Sequence, residues 1–335
     1  MVTHKTLMKK LLYILLSLLV ICTVVTFAVG YKLVQISTTP DYNYGQNYDT
    51  AYAMVFRAYP EMKPWHDSLV ENGLLKDTFI VNEQGLRLHG VYVEHSATDS
   101  IAPDGAIMII HGYCDDAPVM MRYTYCCYEV LHQNVFLPER QWCGKSEGDH
   151  ITFGWRDKED MHLWLKVVHE LWHKPIIVHG LSMGAATTMM LSGDEIADSL
   201  QVEGYIEDCG YSSTWEMLES QLKAKYNLPT FPFLYAASLI NKMWHGWWFT
   251  EGDALGQVAK CQKPMFFIHG TADELVPLYM VRQVYEAKPG VKTLWEVPDT
   301  RHAKSIHKHW EEYCIALEDF ILTIRQKAEP AATTE

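Results

Sequence analysis

Residues 175–190 read PIIVHGLSMGAATTMM, and the reading of Ser182 within them decides the fold. An apolar, partly β-branched run, Ile176 to Val178, leads into Gly180-Leu181-Ser182-Met183-Gly184, and a small-residue segment suited to a helix follows. That order is strand, sharp turn, helix. In such an elbow the two glycines let backbone segments approach closely, the serine is lifted clear of the sheet, and the amide after it points into the same space. The alternative is an ordinary glycine-rich strand-to-helix turn in which Ser182 is merely small.

Outward from the elbow, strands and helices alternate. Before it, DTFIVNEQGLRLHGVYVEH reads as two strands around a turn at Asn82 to Gly85. Ala106 to Ile110 follows as a buried strand, Ala117 to Val130 as a helix, Val135 to Pro138 as a short strand and Asp157 to His173 as an amphipathic helix. After it come a helix from Met183 to Ile196 and a strand from Val202 to Glu207. The chain then resumes with strand Met265 to Ile268, helix Pro277 to Lys288, strand Thr293 to Val297 and a last helix from about Ser305 to Ile324. This alternation predicts a mostly parallel central sheet flanked by helices, with ligands gathered at the carboxyl ends of the strands. The pattern breaks between Tyr211 and Lys260, a helical stretch interrupted by Pro229 and Pro232, which reads as an insertion.

Two later loops supply what a serine nucleophile needs. HGTADELVP places Asp273 after one strand and PDTRHAKS places His302 after the next, so Ser, Asp and His follow in the chain order of an α/β hydrolase. A serine hydroxyl is a weak nucleophile until a neutral imidazole takes its proton, and a carboxylate fixes that imidazole's tautomer. The backbone N–H groups of Tyr113, in IIHGY, and of Met183 are the candidate oxyanion donors. Asp208, after the strand that follows the elbow, competes with Asp273 for the acid's role. His111, His179 and His269 read as structural residues.

Two further motifs compete. GKSEG at 144–148 repeats the G-x-S-x-G spacing, but Ser146 lies several residues past its strand and no helix follows at once. HELWH, with His169, Glu170 and His173, matches a zinc-protease pattern. Its helix must stop before Pro175, no convincing third ligand lies close downstream, and Trp164, Leu165, Val168, Leu171 and Trp172 read as a face packed on the sheet.

Residues 11–30, LLYILLSLLVICTVVTFAVG, carry no charge and are long enough as a helix to cross a bilayer core. Lys5, Lys9 and Lys10 precede the run and only Lys32 follows closely, a bias that keeps residues 1–10 in the cytoplasm and sends the rest across. A cleaved signal ending at Ala28-Val29-Gly30 is the competing reading. Removing the three lysines of the first thirty residues leaves 25 basic residues against 41 acidic ones, a formal charge near −16, which makes nucleic acid a poor partner. The eight cysteines show no repeated metal-type spacing. Export permits disulfides among the seven outside the anchor, and the sequence leaves their pairing open.

With IIHGY, GKSEGDHITFGWRDKEDMHLWL, HGLSMGAAT, IEDCGYSS, KPMFFIHGTADELVP and VPDTRHAKS assembled, the chain resembles the exported or anchored YqkD-like serine hydrolases of the α/β-hydrolase superfamily over roughly residues 75 to 325. It departs from them in PERQWCGKSEG, where Glu139, Trp142 and Cys143 stand in a loop that lies near the mouth of the site in that family. The resemblance implies an α/β-hydrolase fold with a helical lid insertion at about 211–260. Residues 31–74 would form a connector and N-terminal extension, with a Tyr/Asn-rich stretch from Asp41 to Tyr52, and 326–335 a disordered tail. Ser182, His302 and Asp273 would form the triad, with no metal or organic cofactor implied. The lid is rich in aromatics, among them Trp215, Trp244 and Trp247, which are the expected substrate contacts. The expected substrate is a small neutral acyl ester, with an amide or peptide as the alternative. The expected location is membrane-bound through the N-terminal helix, with the catalytic domain outside the cytoplasm or, after signal cleavage, secreted. A zinc hydrolase and a non-catalytic binding protein are the rival classes.

Overall fold

The computed structural model describes residues 2–40, 48–96, 101–195 and 199–328. The chain opens with α1 (Val2–Thr38), α2 (Tyr48–Ala58) and α3 (Met62–Glu71), then β1 (Leu75–Val81), β2 (Arg87–Val93) and β3 (Ala106–Ile110). There follow α4 (Met121–Tyr125), β4 (Asn134–Pro138), α5 (Asp157–Trp172), β5 (Ile176–Leu181), α6 (Met183–Ser192) and β6 (Val202–Asp208). The remainder is α7 (Thr214–Tyr226), α8 (Thr230–His245), α9 (Ala254–Val258), β7 (Met265–Gly270), α10 (Leu278–Ala287), β8 (Lys292–Val297), α11 (Ser305–Lys308) and α12 (Trp310–Ala328).

Two compact units result. The larger joins Tyr42–Met217 to Gly252–Glu335, and the smaller joins Met1–Asp41 to Leu218–Glu251. In the larger unit eight strands form one sheet in the order β1-β2-β4-β3-β5-β6-β7-β8. β1 pairs antiparallel with β2, and β2 antiparallel with β4, whereas every pair from β4 onward is parallel. β3, β4, β5 and β7 are buried along their whole length, which is why they read as unbroken apolar runs: parallel strands are covered on both faces. One face carries Ile107, Ile109, Ile177, Ile206, Phe266 and Ile268, packed with Met121 of α4 and with Tyr313, Leu317, Phe320 and Ile321 of α12. On the other, Phe136 of β4 meets Trp164 of α5 with ring centroids 5.1 Å apart, and Phe267 of β7 meets Tyr285 of α10 edge-on at 5.6 Å.

The expected helix from Ala117 to Val130 is three shorter segments: a 3-10 turn at Pro118–Met120, then α4, then a π-helical turn at Cys126–Val130. The π turn carries three consecutive buried residues, Cys126, Cys127 and Tyr128. Cys126 there meets Cys314 of α12 with sulfurs 2.8 Å apart. The helix after the elbow ends at Ser192, short of Ile196, which lies outside the described residues. His309, at φ −127°, divides the expected last helix into α11 and α12. α12 then runs to Ala328, beyond the expected start of the tail, and 329–335 lie outside the described residues. So do 41–47 of the connector, although from Tyr48 onward that segment is helical.

The smaller unit couples the two ends of a long sequence gap. α1 extends well past the expected 11–30 span, with an apolar helix over His4–Thr38 of mean hydropathy 2.7 in its most apolar window. A Cβ added at Gly30 would stand 3.0 Å from the backbone nitrogen of Ala237 and 3.1 Å from the Ala236 carbonyl carbon, so α1 and α8 approach closely because glycine faces alanine there. α8 starts after Pro229 and stops at Gly246, whose φ of 80° a side chain would disfavour.

The α12 packing predicts a contrast within one helix. Leu317 is wholly buried and Leu322 half exposed. Leu317→Ala should lower the free energy of unfolding in urea by about 2–5 kcal/mol, and Leu322→Ala by under about 1 kcal/mol. Equal losses would contradict the placement of α12.

Candidate active site

The elbow is held by two close approaches. A Cβ on Gly184 would fall 2.0 Å from the Ile110 carbonyl oxygen, and one on Gly180 would fall 2.2 Å from the Gly184 oxygen. Only glycine at both positions lets the start of α6 abut the end of β3. Ser182 itself sits at φ 56°, ψ −115°, a conformation that costs a non-glycine residue about 1–3 kcal/mol. Two backbone bonds hold it there: the Ser182 N–H donates to Asp208 O at 2.8 Å, and the Ala186 N–H donates to Ser182 O at 3.0 Å. The strain is thus retained by β6 on one side and the first turn of α6 on the other.

The loops after β7 and β8 bring Asp273 and His302 to that serine. His302 Nε2 lies 2.8 Å from Ser182 Oγ, and His302 Nδ1 lies 2.7 Å from Asp273 Oδ2. Asp273 is buried, and its other oxygen accepts the N–H groups of Leu275 and Val276 at 2.8 and 2.9 Å. Its orientation is therefore fixed before the imidazole is considered. The two loops are also stitched together, since Ala272 N–H donates to Thr300 O at 3.0 Å and Asp299 N–H donates to Thr271 Oγ1 at 2.9 Å.

Asp208, the competing acid, points elsewhere. It accepts the Tyr313 hydroxyl at 3.0 Å, and His179 Nε2, 3.0 Å from the Tyr313 Oη, donates to that hydroxyl oxygen. Burial pushes Asp208 up to about 7 and His179 down to about 3, so both are held toward their neutral forms. His269 Nε2 donates to Val276 O at 2.9 Å.

Tyr113 lies in a turn closed by Asp115 N–H to Gly112 O at 3.3 Å, with Cys114 at φ 58° in the third position, where a type II turn requires a positive φ. Met183 is the first residue of α6, so its N–H has no partner within the helix. The Gly184 contact with Ile110 and His111 brings that helix start against the loop that leads to Tyr113.

Two neighbours of this loop escaped the sequence reading. Arg140 is wholly buried; its Nη2 donates to Gly112 O, and its N–H donates to His111 Nε2 at 3.2 Å. Burial, and next the Arg140 charge, hold His111 well below its usual range, so it is a neutral spacer. Asp115 is pushed up to about 6 by desolvation, with Arg140 pulling it back down. The only sequence signals were an arginine in the departing loop PERQWCGKSEG and an aspartate pair after IIHGYC, and neither indicated that the buried arginine's charge would act on the aspartate.

Glu139 of that same loop is buried, accepting from Ala117 N–H at 3.0 Å and Lys145 N–H at 2.7 Å and bonding Tyr48 Oη and His89 Nδ1. Trp142 takes φ 65°. Cys143 is buried, and its thiol is pushed up by desolvation. Ser146, the serine of the second G-x-S-x-G, donates to Glu139 O at 2.8 Å and accepts from His89 N–H at 2.8 Å. It ties the loop to β2.

His169 and His173 face each other edge-on at 5.3 Å at the end of α5. Among the described residues, the one cluster of three metal-capable side chains is Cys209, Asp273 and His302. Burial drives the Cys209 thiol well above its usual range, and the other two atoms are already engaged with each other and with Ser182, so this cluster is a poor ligand set.

The three tryptophans expected to touch substrate fall apart between the units. Trp215 lies in the first turn of α7, in the larger unit. In the smaller unit Trp244 rests on Tyr31 of α1 at 4.9 Å, and Trp247 is wholly buried edge-on to Phe249 at 5.6 Å.

Buried Asp208 predicts a pH effect on stability. The unfolded carboxyl ionises near 3.8 and the folded one near 7. Its contribution is therefore present at low pH and is lost as pH rises from about 4 through about 7. Asp208→Asn should flatten the decline of the urea midpoint across that window relative to the parent protein, whereas an unchanged slope would contradict the assignment.

No family model matches the chain. Over 257 residues, 76% of this chain and 82% of the relative, it is 27% identical to YqkD of Bacillus subtilis strain 168, a protein described as uncharacterized. A solved Pyrococcus furiosus esterase superposes with a TM-score of 0.57 at 23% identity, covering 74% of this chain and 92% of the esterase. The α/β hydrolase GrgF from a Penicillium species superposes at 0.55 with 15% identity, covering 73% and 97% of the respective chains. The strand order, the elbow and these likenesses converge on one conclusion: the chain has the α/β-hydrolase fold.

Proposed function

We propose that this chain is a serine hydrolase in which Ser182 is the nucleophile, His302 the general base and then acid, and Asp273 the orienting carboxylate. The hydrogen-bonded line from Ser182 Oγ through His302 to Asp273, starting at a strained elbow, carries the reading. In the first step His302 Nε2 takes the hydroxyl proton as Ser182 Oγ attacks an acyl carbon. Asp273, with both oxygens already oriented, stabilises the imidazolium and holds the tautomer that leaves Nε2 free to act. The N–H groups of Met183 and Tyr113 are the assigned donors to the oxyanion. His302 then returns its proton to the leaving group, and water, activated by the same imidazole, releases the acid from the acyl-enzyme.

The acyl group is assigned as neutral and the bond as an ester, a reading supported by the name of the similar Pyrococcus furiosus esterase. Asp115 and Asp208 near the site disfavour anionic substrates by like charge whenever they ionise. The protein is assigned to a membrane through α1, with the lysines Lys5, Lys9 and Lys10 retained in the cytoplasm and the hydrolase unit outside it.

Two measurements test this. On p-nitrophenyl esters from acetate upward, kcat/KM should rise by roughly fourfold per methylene until the pocket is full. Brisk cleavage of aminoacyl anilides with no ester turnover would instead identify a peptidase. Asp273→Asn should cost about 10⁴ in kcat while Asp208→Asn stays within about tenfold of the parent. The reverse order would transfer the acid's role to Asp208.

A further inference from the structure

Within the smaller unit, α1 changes character at one point. Every side chain from Leu7 to Val25 is exposed, and this stretch is roughly 28 Å long as a helix, close to the thickness of a bilayer's hydrocarbon core. From Thr26 onward a stripe at helical spacing is covered: Thr26, Val29, Gly30, Leu33, Val34, Ser37 and Thr38. The Gly30 approach to Ala236 and Ala237 shows that α8 supplies cover there. α8 is therefore packed on α1 immediately beyond the apolar stretch, at the level of the headgroups if that stretch spans.

The rest of α8 is unlike a water-facing helix. Its inner side buries Leu234, Ala236, Ala237, Ser238 and Asn241. Along its length Phe231 is 73% exposed, Tyr235 56%, Met243 78% and Trp244 51%, Phe231 preceding the regular helix and Trp244 lying at its junction with α1. Phe231 and Tyr235 meet edge-on at 5.7 Å, and Trp244 lies on Tyr31 of α1, so the patch is continuous with the apolar helix. Large exposed apolar groups gathered on one short helix mark an interaction surface, and tryptophan and tyrosine are the side chains that favour the membrane–water boundary. Despite the acidic balance of the whole chain, α8 contains no aspartate or glutamate, and its one lysine, Lys242, is paired with Glu251, so the helix itself sets no carboxylate against anionic headgroups.

We propose that the exposed apolar side chains of α8, Tyr235 and Met243 with Phe231 at its kinked start and Trp244 at its junction with α1, form a second membrane contact that sinks into the headgroup–acyl boundary of the bilayer α1 crosses. The inference rests on the assignment of α1 as a membrane span. It gives the exposed aromatics of the insertion a lipid partner.

The test uses the full-length chain in phospholipid nanodiscs. Cys22→Ala removes the one exposed cysteine, the other seven being buried. A nitroxide is then placed in turn at Leu16→Cys, Met243→Cys and Lys225→Cys, and its collisions with oxygen and with a water-soluble nickel chelate are measured. Leu16 reads the span, Met243 the proposed contact and Lys225 an exposed polar site of the same unit. The expected result is oxygen-rich, nickel-poor collisions at Leu16 and Met243 and the reverse at Lys225. Lipid exposure at Leu16 with nickel exposure at Met243 equal to that at Lys225 would overturn the α8 contact while leaving the span intact. Nickel exposure at Leu16 would overturn the span, and the α8 contact with it.

Discussion

The whole site depends on how closely the first turn of α6 can approach the end of β3. That approach exists because neither Gly180 nor Gly184 carries a side chain; a methyl group at Gly184 would lie inside the contact radius of the Ile110 carbonyl. Everything else follows from that proximity. Ser182 takes a positive φ, and α6 starts where the strands of a parallel sheet end. The strain at Ser182 is local and small beside the packing around it. It survives because the Ser182 N–H is bonded across to β6, which cannot move without disrupting a strand buried between β5 and β7.

Around that fixed point the buried charges are arranged so that one carboxylate serves the imidazole and the others do not. Asp273 keeps both oxygens occupied, two backbone amides on one and His302 on the other. Asp208, only one strand away, is held toward its protonated form by desolvation, against the pull of the Tyr313 hydroxyl that it accepts. Glu207, next in sequence and also wholly buried, is pushed up to about 8 by burial. Hydrogen bonding thus fixes Asp273 on the imidazole, while desolvation holds Asp208 and Glu207 toward their neutral forms.

Much of this was legible in the sequence. Ser182, Asp273 and His302 each follow a short apolar run and stand in a loop marked by glycine or proline, so strand ends and chemistry were announced together. The parallel strands were visible because burial on both faces makes them uniformly apolar. Other features depend on tertiary partners. Nothing local to PERQWCGKSEG reveals that Arg140 is buried against Gly112, since an arginine reads as surface until its acceptor is known. The aromatics of the insertion were recognisable as a group, but composition does not name a partner: Trp244 meets Tyr31, some two hundred residues earlier, and Trp247 meets Phe249. The break at His309 and the π turn at Cys126–Val130 were likewise not legible, since both interrupt stretches that read as single helices.

The central claim is that Ser182 is an activated nucleophile because His302 and Asp273 are hydrogen-bonded behind it. The most direct measurement is reaction of the intact protein with a fluorophosphonate, followed by mass mapping of the modified peptide. The account predicts one adduct per chain, on Ser182, formed at a rate that collapses in His302→Ala. An adduct on Ser146, or no adduct on a folded protein, would contradict it.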